Sequence, residues 1–346
     1  MSEGLSSRGS GTTPSRRARE LSVEDYVRGV LAGDRGVLAR AITLVESRSP
    51  VHEAKAQEVL QRLLPRAGKA RRIGITGVPG AGKSTFIEAF GSFLADRGLK
   101  IAVLAIDPTS ARSGGSILGD KTRMERLSRN PNAFIRPSPA GESLGGVARR
   151  TRETMLVCEA AGFDVVLVET VGVGQSEVTL RSMVDFFVLL LLAGAGDELQ
   201  GIKRGVVEMA DAVLINKADG ENRQRALRAL AEQDAALHYL QPATPGWTTR
   251  AALASGLTGE GLPELWQQIE EFYARLQPAG TIERRRRQQA IDWLTNLLND
   301  ELRREFFEDP RVRDRLPALQ QQVQRGDITA VRAARELLAV HRGRTL

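Results

Sequence analysis

Residues Gly77-Val78-Pro79-Gly80-Ala81-Gly82-Lys83-Ser84 have the spacing G-x-x-x-x-G-K-[ST]. That spacing suits a polyphosphate. The glycines let backbone N–H groups approach phosphate oxygens with no Cβ in the way, and a helix starting near Lys83 adds the positive end of its dipole. Gly77, Gly80, Ala81 and Gly82 would form the cradle. Lys83 would reach the β and γ phosphates, Ser84 would offer its hydroxyl to Mg2+, and Thr85 could touch the α phosphate. Some 130 residues further on stands Asn216-Lys217-Ala218-Asp219. An Asp there can accept hydrogen bonds from N1–H and the exocyclic amine of guanine. Adenine offers an acceptor at N1 and no amine on that edge, so it would leave buried groups unpaired. Lys217 would lie over the base, and Ser255-Gly256-Leu257 would meet the guanine carbonyl through backbone N–H. The alternative for Asp219 is an ordinary helix N-cap. The pair of motifs implies GTP or GDP as ligand.

Three acids could complete a Mg2+ site with Ser84: Asp107, Asp120 and Glu169. Mg2+ takes oxygen ligands and keeps several waters, and Glu169 is expected to act through one of them. Asp120 could instead cap a helix. Many GTPases place Asp-x-x-Gly at this third acid, followed by a glutamine that orients the attacking water; here the acid is Glu169. Here the residue after Gly172 is Val173, and Gln175 and Gln200 are the nearest glutamines. Slow intrinsic hydrolysis, accelerated by a partner, is the expectation. The run from Ala193 to Gly205 holds four glycines, and Asp197, Gln200 and Lys203 in it could reach a phosphate or a partner. The catalytic set is thus Lys83, Glu169, Gln200 and Lys203; the metal set is Ser84, Asp107, Asp120 and Glu169.

These residues need a scaffold that aims them at one place. Apolar runs at Ile73–Thr76, 101–106, 165–169, 186–192 and 212–216 alternate with helical stretches near 83–97, 143–161 and 221–239, and a further strand is expected through 250–254. Apolar strands separated by helices make a parallel sheet covered on both faces, and ligands then bind at the C-terminal edge of the strands. Residues 1–20 read as a disordered tail. Residues 21–70 read as a helical extension with Ser22 as an N-cap and a helix from Val51 to Leu64. Residues 71–280 form the nucleotide-binding α/β domain. Residues 281–346 read as helical arms at 281–308 and 310–344, broken by Pro310, Pro317 and Gly326.

Composition narrows the function. One cysteine and three scattered histidines exclude a disulfide framework and a Cys/His metal cluster. The longest apolar run is far short of the ~20 residues of a membrane helix. A bacterial cytoplasmic protein is expected, with a mitochondrial one less so. The chain carries 49 Lys+Arg against 42 Asp+Glu, a net +7. The excess sits in the arms: 12 basic against 8 acidic in 1–70, and 14 against 10 in 281–346, while 71–280 holds 23 against 24. With aromatics at 5% and none beside the Arg284–Arg287 cluster, nucleic-acid binding is disfavoured. Only seven lysines occur, and four of them (Lys83, Lys121, Lys203, Lys217) stand in the motifs above. In a chain that otherwise uses arginine, this marks places where a compact ammonium suits the chemistry.

The phosphate loop, Asp107-Pro-Thr-Ser110, Gly119-Asp-Lys-Thr-Arg-Met124, Glu169-Thr-Val-Gly-Val-Gly-Gln-Ser-Glu177, Gly196-Asp-Glu-Leu-Gln-Gly-Ile-Lys203 and Asn216-Lys-Ala-Asp219 together resemble the MeaB/ArgK family of P-loop GTPases, over about residues 20–340. The resemblance implies a SIMIBI-class fold and homodimerisation through C-terminal helices. It also implies a chaperone role toward adenosylcobalamin-dependent methylmalonyl-CoA mutase, gating cofactor delivery and protecting or reactivating the enzyme. The adenosylcobalamin would belong to the mutase. Residues around 107–122, 169–177 and 193–203 would be three switches, the third signalling to the mutase. The competing readings are a metallochaperone GTPase, disfavoured by the missing Cys/His ligands, and a nucleic-acid-associated GTPase, disfavoured by the charge distribution.

Overall fold

The structure, a computed structural model, describes residues 20–47, 49–106, 124–137, 144–170, 176–193 and 204–343. Among these, seven strands form one sheet: β1 (Arg71–Gly77), β2 (Ile101–Ile106), β3 (Ala133–Arg136), β4 (Val165–Thr170), β5 (Phe186–Leu192), β6 (Ala212–Asn216) and β7 (Arg250–Leu253). Their order is β3-β2-β4-β1-β5-β6-β7, and every ladder is parallel. Ile73 faces Leu167 of β4 on one side and Phe186 of β5 on the other. The central strands read as near-continuous Val, Leu, Ile and Phe because both of their faces are buried. The chain builds β2 to β4 on one side of β1 and then crosses to build β5 to β7 on the other. The C-terminal end of β1 is therefore the reversal point at which open α/β sheets take ligands.

Helices cover the sheet. They include α4 (Lys83–Ala95), α5 (Glu125–Arg129), α6 (Leu144–Ala160), α7 (Ser176–Arg181), α8 (Arg204–Val207), α9 (Arg223–Leu237) and α10 (Leu262–Leu276). Phe86 and Phe90 of α4, Phe186 of β5, and Trp266 and Phe272 of α10 meet in one apolar core. The Phe186 and Phe272 rings pack edge-on at 4.9 Å. β3 is absent from the strands expected above. Its four residues, Ala-Phe-Ile-Arg, are too short to make an apolar run, and it forms as an edge strand against β2.

The chain divides into two compact units, one formed by the described residues up to Lys69 with Leu156–Gly162, the other by Ala70–Met155 and Phe163 onward. The first holds α1 (Val23–Leu31), α2 (Arg35–Val45) and α3 (Pro50–Leu63). Ser22 caps α1 through a capping box: its hydroxyl accepts from Asp25 N at 3.1 Å, and its own N–H donates to the Asp25 carboxylate at 3.2 Å. Asp34 starts a separate α2 by accepting from Gly36 N and Val37 N.

The C-terminal helices are α11 (Thr281–Glu308), α12 (Pro310–Arg325) and α13 (Ala330–His341). Pro317 was expected to break a helix and instead lies inside α12. A proline there costs helix energy, and the burial of Val312 and Leu319 against Ala333 and Leu337 of α13 holds both sides of it in line. The root of α11 is fixed to the sheet by buried ion pairs. Arg286 donates to both carboxylate oxygens of Asp185, at 2.9 and 2.5 Å, and Tyr273 donates to the same carboxylate at 2.7 Å. Burial alone would raise the pKa of Asp185, but Arg286, Arg72 and Tyr273 outweigh it and hold it below the ordinary 3.8. Arg285 donates to the Asp185 carbonyl and to Thr244. Two members of the basic cluster therefore serve this chain's own packing.

Candidate functional site

The phosphate-type loop leaves β1 at Gly77. A Cβ on Gly77 would sit 2.4 Å from the carbonyl oxygen of Leu190 in β5, so only glycine lets the loop start this close to the neighbouring strand. The loop ends at Gly82, in the left-handed region at φ 80°, which turns the backbone into the first turn of α4. Ala81 is fully buried and Thr85 is exposed. Lys83, only 9% exposed, folds back over the loop and donates to the carbonyls of Gly77 at 2.9 Å and Val78 at 3.2 Å. Burial pushes its pKa below the ordinary 10.5, while Glu169 and Glu177 pull it up.

Ser84 donates from its hydroxyl to the Glu169 carboxylate at 3.1 Å. Glu169 is the next-to-last residue of β4, and β4 lies beside β1. The Ser84 hydroxyl and the Glu169 carboxylate thus bring two oxygen donors of the kind Mg2+ takes to one point. Below them the hydroxyls of Thr76 and Thr170 pair at 2.8 Å in the buried sheet. Asp107, Asp120, Gln200 and Lys203 lie outside the described residues. Among the described residues no group of three or more His, Cys, Asp or Glu side chains could hold a metal by itself.

Asn216 joins the two motifs. Its side-chain amide donates to the Ala81 carbonyl at 2.7 Å, and its side-chain oxygen accepts from Gly256 N at 3.3 Å. Gly256 has to be small: a Cβ on it would lie 2.9 Å from Cα of Phe86, in the first turn of α4. Lys217 is the one non-glycine residue among those described with positive φ, at 58°. This uncommon conformation lets its stem lie along Gly82, whose Cβ position is 3.4 Å from Lys217 Cε. Asp219 makes no side-chain cap to the turn that follows it. Its carboxylate accepts instead from the Ser255 hydroxyl, whose oxygen also accepts from Leu257 N at 3.2 Å and Thr258 N at 3.0 Å. The Asp219 carboxylate and the 255–257 loop are therefore held together at the end of β6. The N–H groups of Gly256 and Leu257, expected to meet a base carbonyl, point to Asn216 and Ser255 in this structure, and the Leu257 side chain is 81% exposed.

The structure thus gathers Gly77, Gly80, Ala81, Gly82, Lys83, Ser84, Thr85, Glu169, Asn216, Lys217, Asp219, Ser255, Gly256 and Leu257 on one edge of the sheet. It adds Glu177, in the first turn of α7, which sequence reasoning left among the switch residues without a role. The signal was there: an acid at the start of a helix directly after the Glu169 segment.

A glycine-rich loop that joins a central parallel strand to a Lys-Ser helix start, with an acid from the neighbouring strand on that serine, defines the class of P-loop nucleotide hydrolases. Comparison with known proteins narrows this. The family model described as methylmalonyl Co-A mutase-associated GTPase MeaB matches residues 38–311. The chain is 54% identical over 319 residues to a putative GTPase of Caulobacter vibrioides, covering 92% of this chain and 98% of the relative. It is 44% identical over 332 residues to the mitochondrial methylmalonic aciduria type A homolog of Mus musculus, covering 93% and 80%. A crystal structure of a protein described as an LAO/AO transport system kinase superposes with a TM-score of 0.76 at 38% identity, covering 92% of this chain and 97% of that one. The chain belongs to the MeaB family of P-loop GTPases and is a hydrolase acting on GTP. No helix among the described residues is long and apolar enough to cross a membrane.

Proposed function

We propose that this GTPase is a chaperone of methylmalonyl-CoA mutase or a related acyl-CoA mutase, which gates adenosylcobalamin delivery and protects or reactivates the enzyme. The family's description names the mutase. The observation that carries the nucleotide-binding half of the reading is the Asn216 side chain, which ties the phosphate loop to the 255–257 loop so that one edge addresses both ends of a nucleotide. Lys83 and the loop N–H groups hold the phosphates. Ser84 and Glu169, with Asp107 and Asp120, surround Mg2+, which when bound neutralises phosphate charge. Asp219 leaves the Ser255 hydroxyl to accept from guanine, and Ser255, Gly256 and Leu257 frame the base. Hydrolysis is slow without the mutase, and Gln200 and Lys203 belong to the segment that signals to it.

The chain works as a homodimer through its C-terminal helices, in the bacterial cytoplasm. Ile291, Leu294, Leu298 and Leu302 of α11 are each more than half exposed. Their spacing of three or four residues makes one apolar stripe on a 28-residue helix, as a helix that packs on a second copy requires. Neither nucleic acid nor membrane is a partner. Residues 21–70 form the N-terminal extension, 71–280 the GTP-binding domain and 281–346 the dimerisation arm.

Titration with GTP and ATP in the presence of Mg2+ tests the site. A preference for GTP of at least about a hundredfold is expected from the unpaired groups that adenine would leave. Equal affinities would remove Asp219 from base recognition.

A further inference from the structure

The two loops that would frame guanine are joined on their sheet side by backbone bonds. Ala254 N donates to the Ile215 carbonyl at 2.9 Å, and Ala218 N donates to the Ala254 carbonyl at 3.1 Å. On the solvent side they are joined by a pair of charged side chains. Arg223 donates to the Glu260 carboxylate and, at 3.4 Å, to the Ala218 carbonyl. Both side chains are close to half exposed.

These contacts close a ring. Ala218 is followed in the chain by Asp219, whose carboxylate accepts from the Ser255 hydroxyl. Ser255 N donates to the Glu260 carbonyl at 2.9 Å. The Glu260 carboxylate then returns through Arg223 to Ala218. The loop that carries Glu260 is itself tight. Gly259 N donates to the Ser255 carbonyl at 2.9 Å, and at Gly261, with φ 79°, a Cβ would lie 2.1 Å from the Leu253 carbonyl oxygen. A pull on Glu260 is therefore felt at Ser255 and Asp219. Arg223 is the first residue of α9, where a cation opposes the helix dipole. The first turn of α9 holds no acid to offset it, and Asn222 makes no side-chain cap. The arginine serves the two loops rather than its own helix.

We propose that Arg223 and Glu260 are positioning residues that latch the 216–219 and 255–257 loops together from outside and set the rate at which a guanine nucleotide leaves. Release of the base requires these loops to part, and parting them breaks the ion pair. An exposed pair contributes little to the stability of a whole chain. Here its energy falls on one local opening, which is far less costly than global unfolding. The inference rests on the reading of Asp219 and the 255–257 loop as the guanine site.

Release of a fluorescent, ribose-labelled GDP analogue into excess GDP, with Mg2+ present, tests it. Arg223→Ala and Glu260→Ala should each speed release about two- to fivefold, the range that an exposed ion pair supports. The double variant should be no faster than the faster single one, because each change already breaks the same contact. At roughly 1 M salt, where the Debye length is about 3 Å, release from wild type should approach the rate of the variants. Arg250→Ala is the control. Arg250 and Glu271 form an ion pair of similar exposure at the start of β7, the opposite end of that strand from the 255–257 loop. Its loss should leave the release rate unchanged. Equal rates for wild type and Arg223→Ala, or an equal acceleration by Arg250→Ala, would overturn the latch. Asp219→Ala separates the two readings. If it leaves GDP affinity unchanged, the guanine site fails and the latch with it. If it weakens GDP while Arg223→Ala releases at the wild-type rate, the latch alone fails.

Discussion

Replacing Asn216 with alanine probes the joint on which the site depends. Asn216 is 2% exposed and donates to the Ala81 carbonyl at 2.7 Å while accepting from Gly256 N at 3.3 Å. Alanine removes both bonds and leaves two backbone groups without a partner. Each unsatisfied buried group costs roughly 1–3 kcal/mol, and the longer bond to Gly256 belongs at the low end. The loss of stability should be about 2–4 kcal/mol. The second effect is local: with Ala81 and Gly256 no longer pinned to one side chain, nucleotide binding must restore their order. A cost of about 1.4–2.8 kcal/mol corresponds to a 10- to 100-fold loss of GDP affinity. Urea unfolding of the nucleotide-free protein reads the first effect, and calorimetry with GDP reads the second. Asn216→Asp should be no milder, because it sets a carboxylate oxygen against the Ala81 carbonyl. A stability change below about 0.5 kcal/mol with GDP affinity within twofold would refute the reasoning.

Two further substitutions test the frame around the site. Asp185→Asn leaves Arg286 buried without its counter-charge, so a loss of roughly 3–5 kcal/mol is expected in urea unfolding at neutral pH. Because the folded pKa of Asp185 lies below the ordinary 3.8, its contribution is present in full above that value and is lost as pH falls through the folded value. Wild type and Asp185→Asn should therefore differ fully down to the ordinary 3.8 and converge in stability only as pH falls further, through the folded value, and a difference that stays constant there would contradict the pairing. Leu298→Glu places a charge in the exposed stripe of α11. Sedimentation should show the dimer giving way to monomer, with Tm lowered by no more than a few degrees; an unchanged sedimentation coefficient would clear this stripe of the interface.

Much of this architecture was legible in the sequence because it depends on local chemistry. The apolar runs at 101–106, 186–192 and 212–216 became strands at those bounds, since strands buried on both faces need unbroken apolar residues. Gly77 to Ser84 marked a strand-to-helix loop because only that residue pattern makes the turn. What stayed hidden depends on residues far apart in the chain. Arg285 and Arg286 read as a solvated or partner-facing cluster, and their acceptors lie a hundred residues earlier, at Asp185. The link from Asn216 to Ala81 spans 135 residues. The Ser255 hydroxyl on Asp219 showed only once both loops were in place.

GTP turnover by the full chain, with and without an adenosylcobalamin-dependent methylmalonyl-CoA mutase, tests the central claim most directly. The two proteins should co-purify, and the mutase should raise turnover by at least an order of magnitude, within the range by which an activating partner accelerates a slow GTPase. No association and an unchanged rate would contradict the chaperone role.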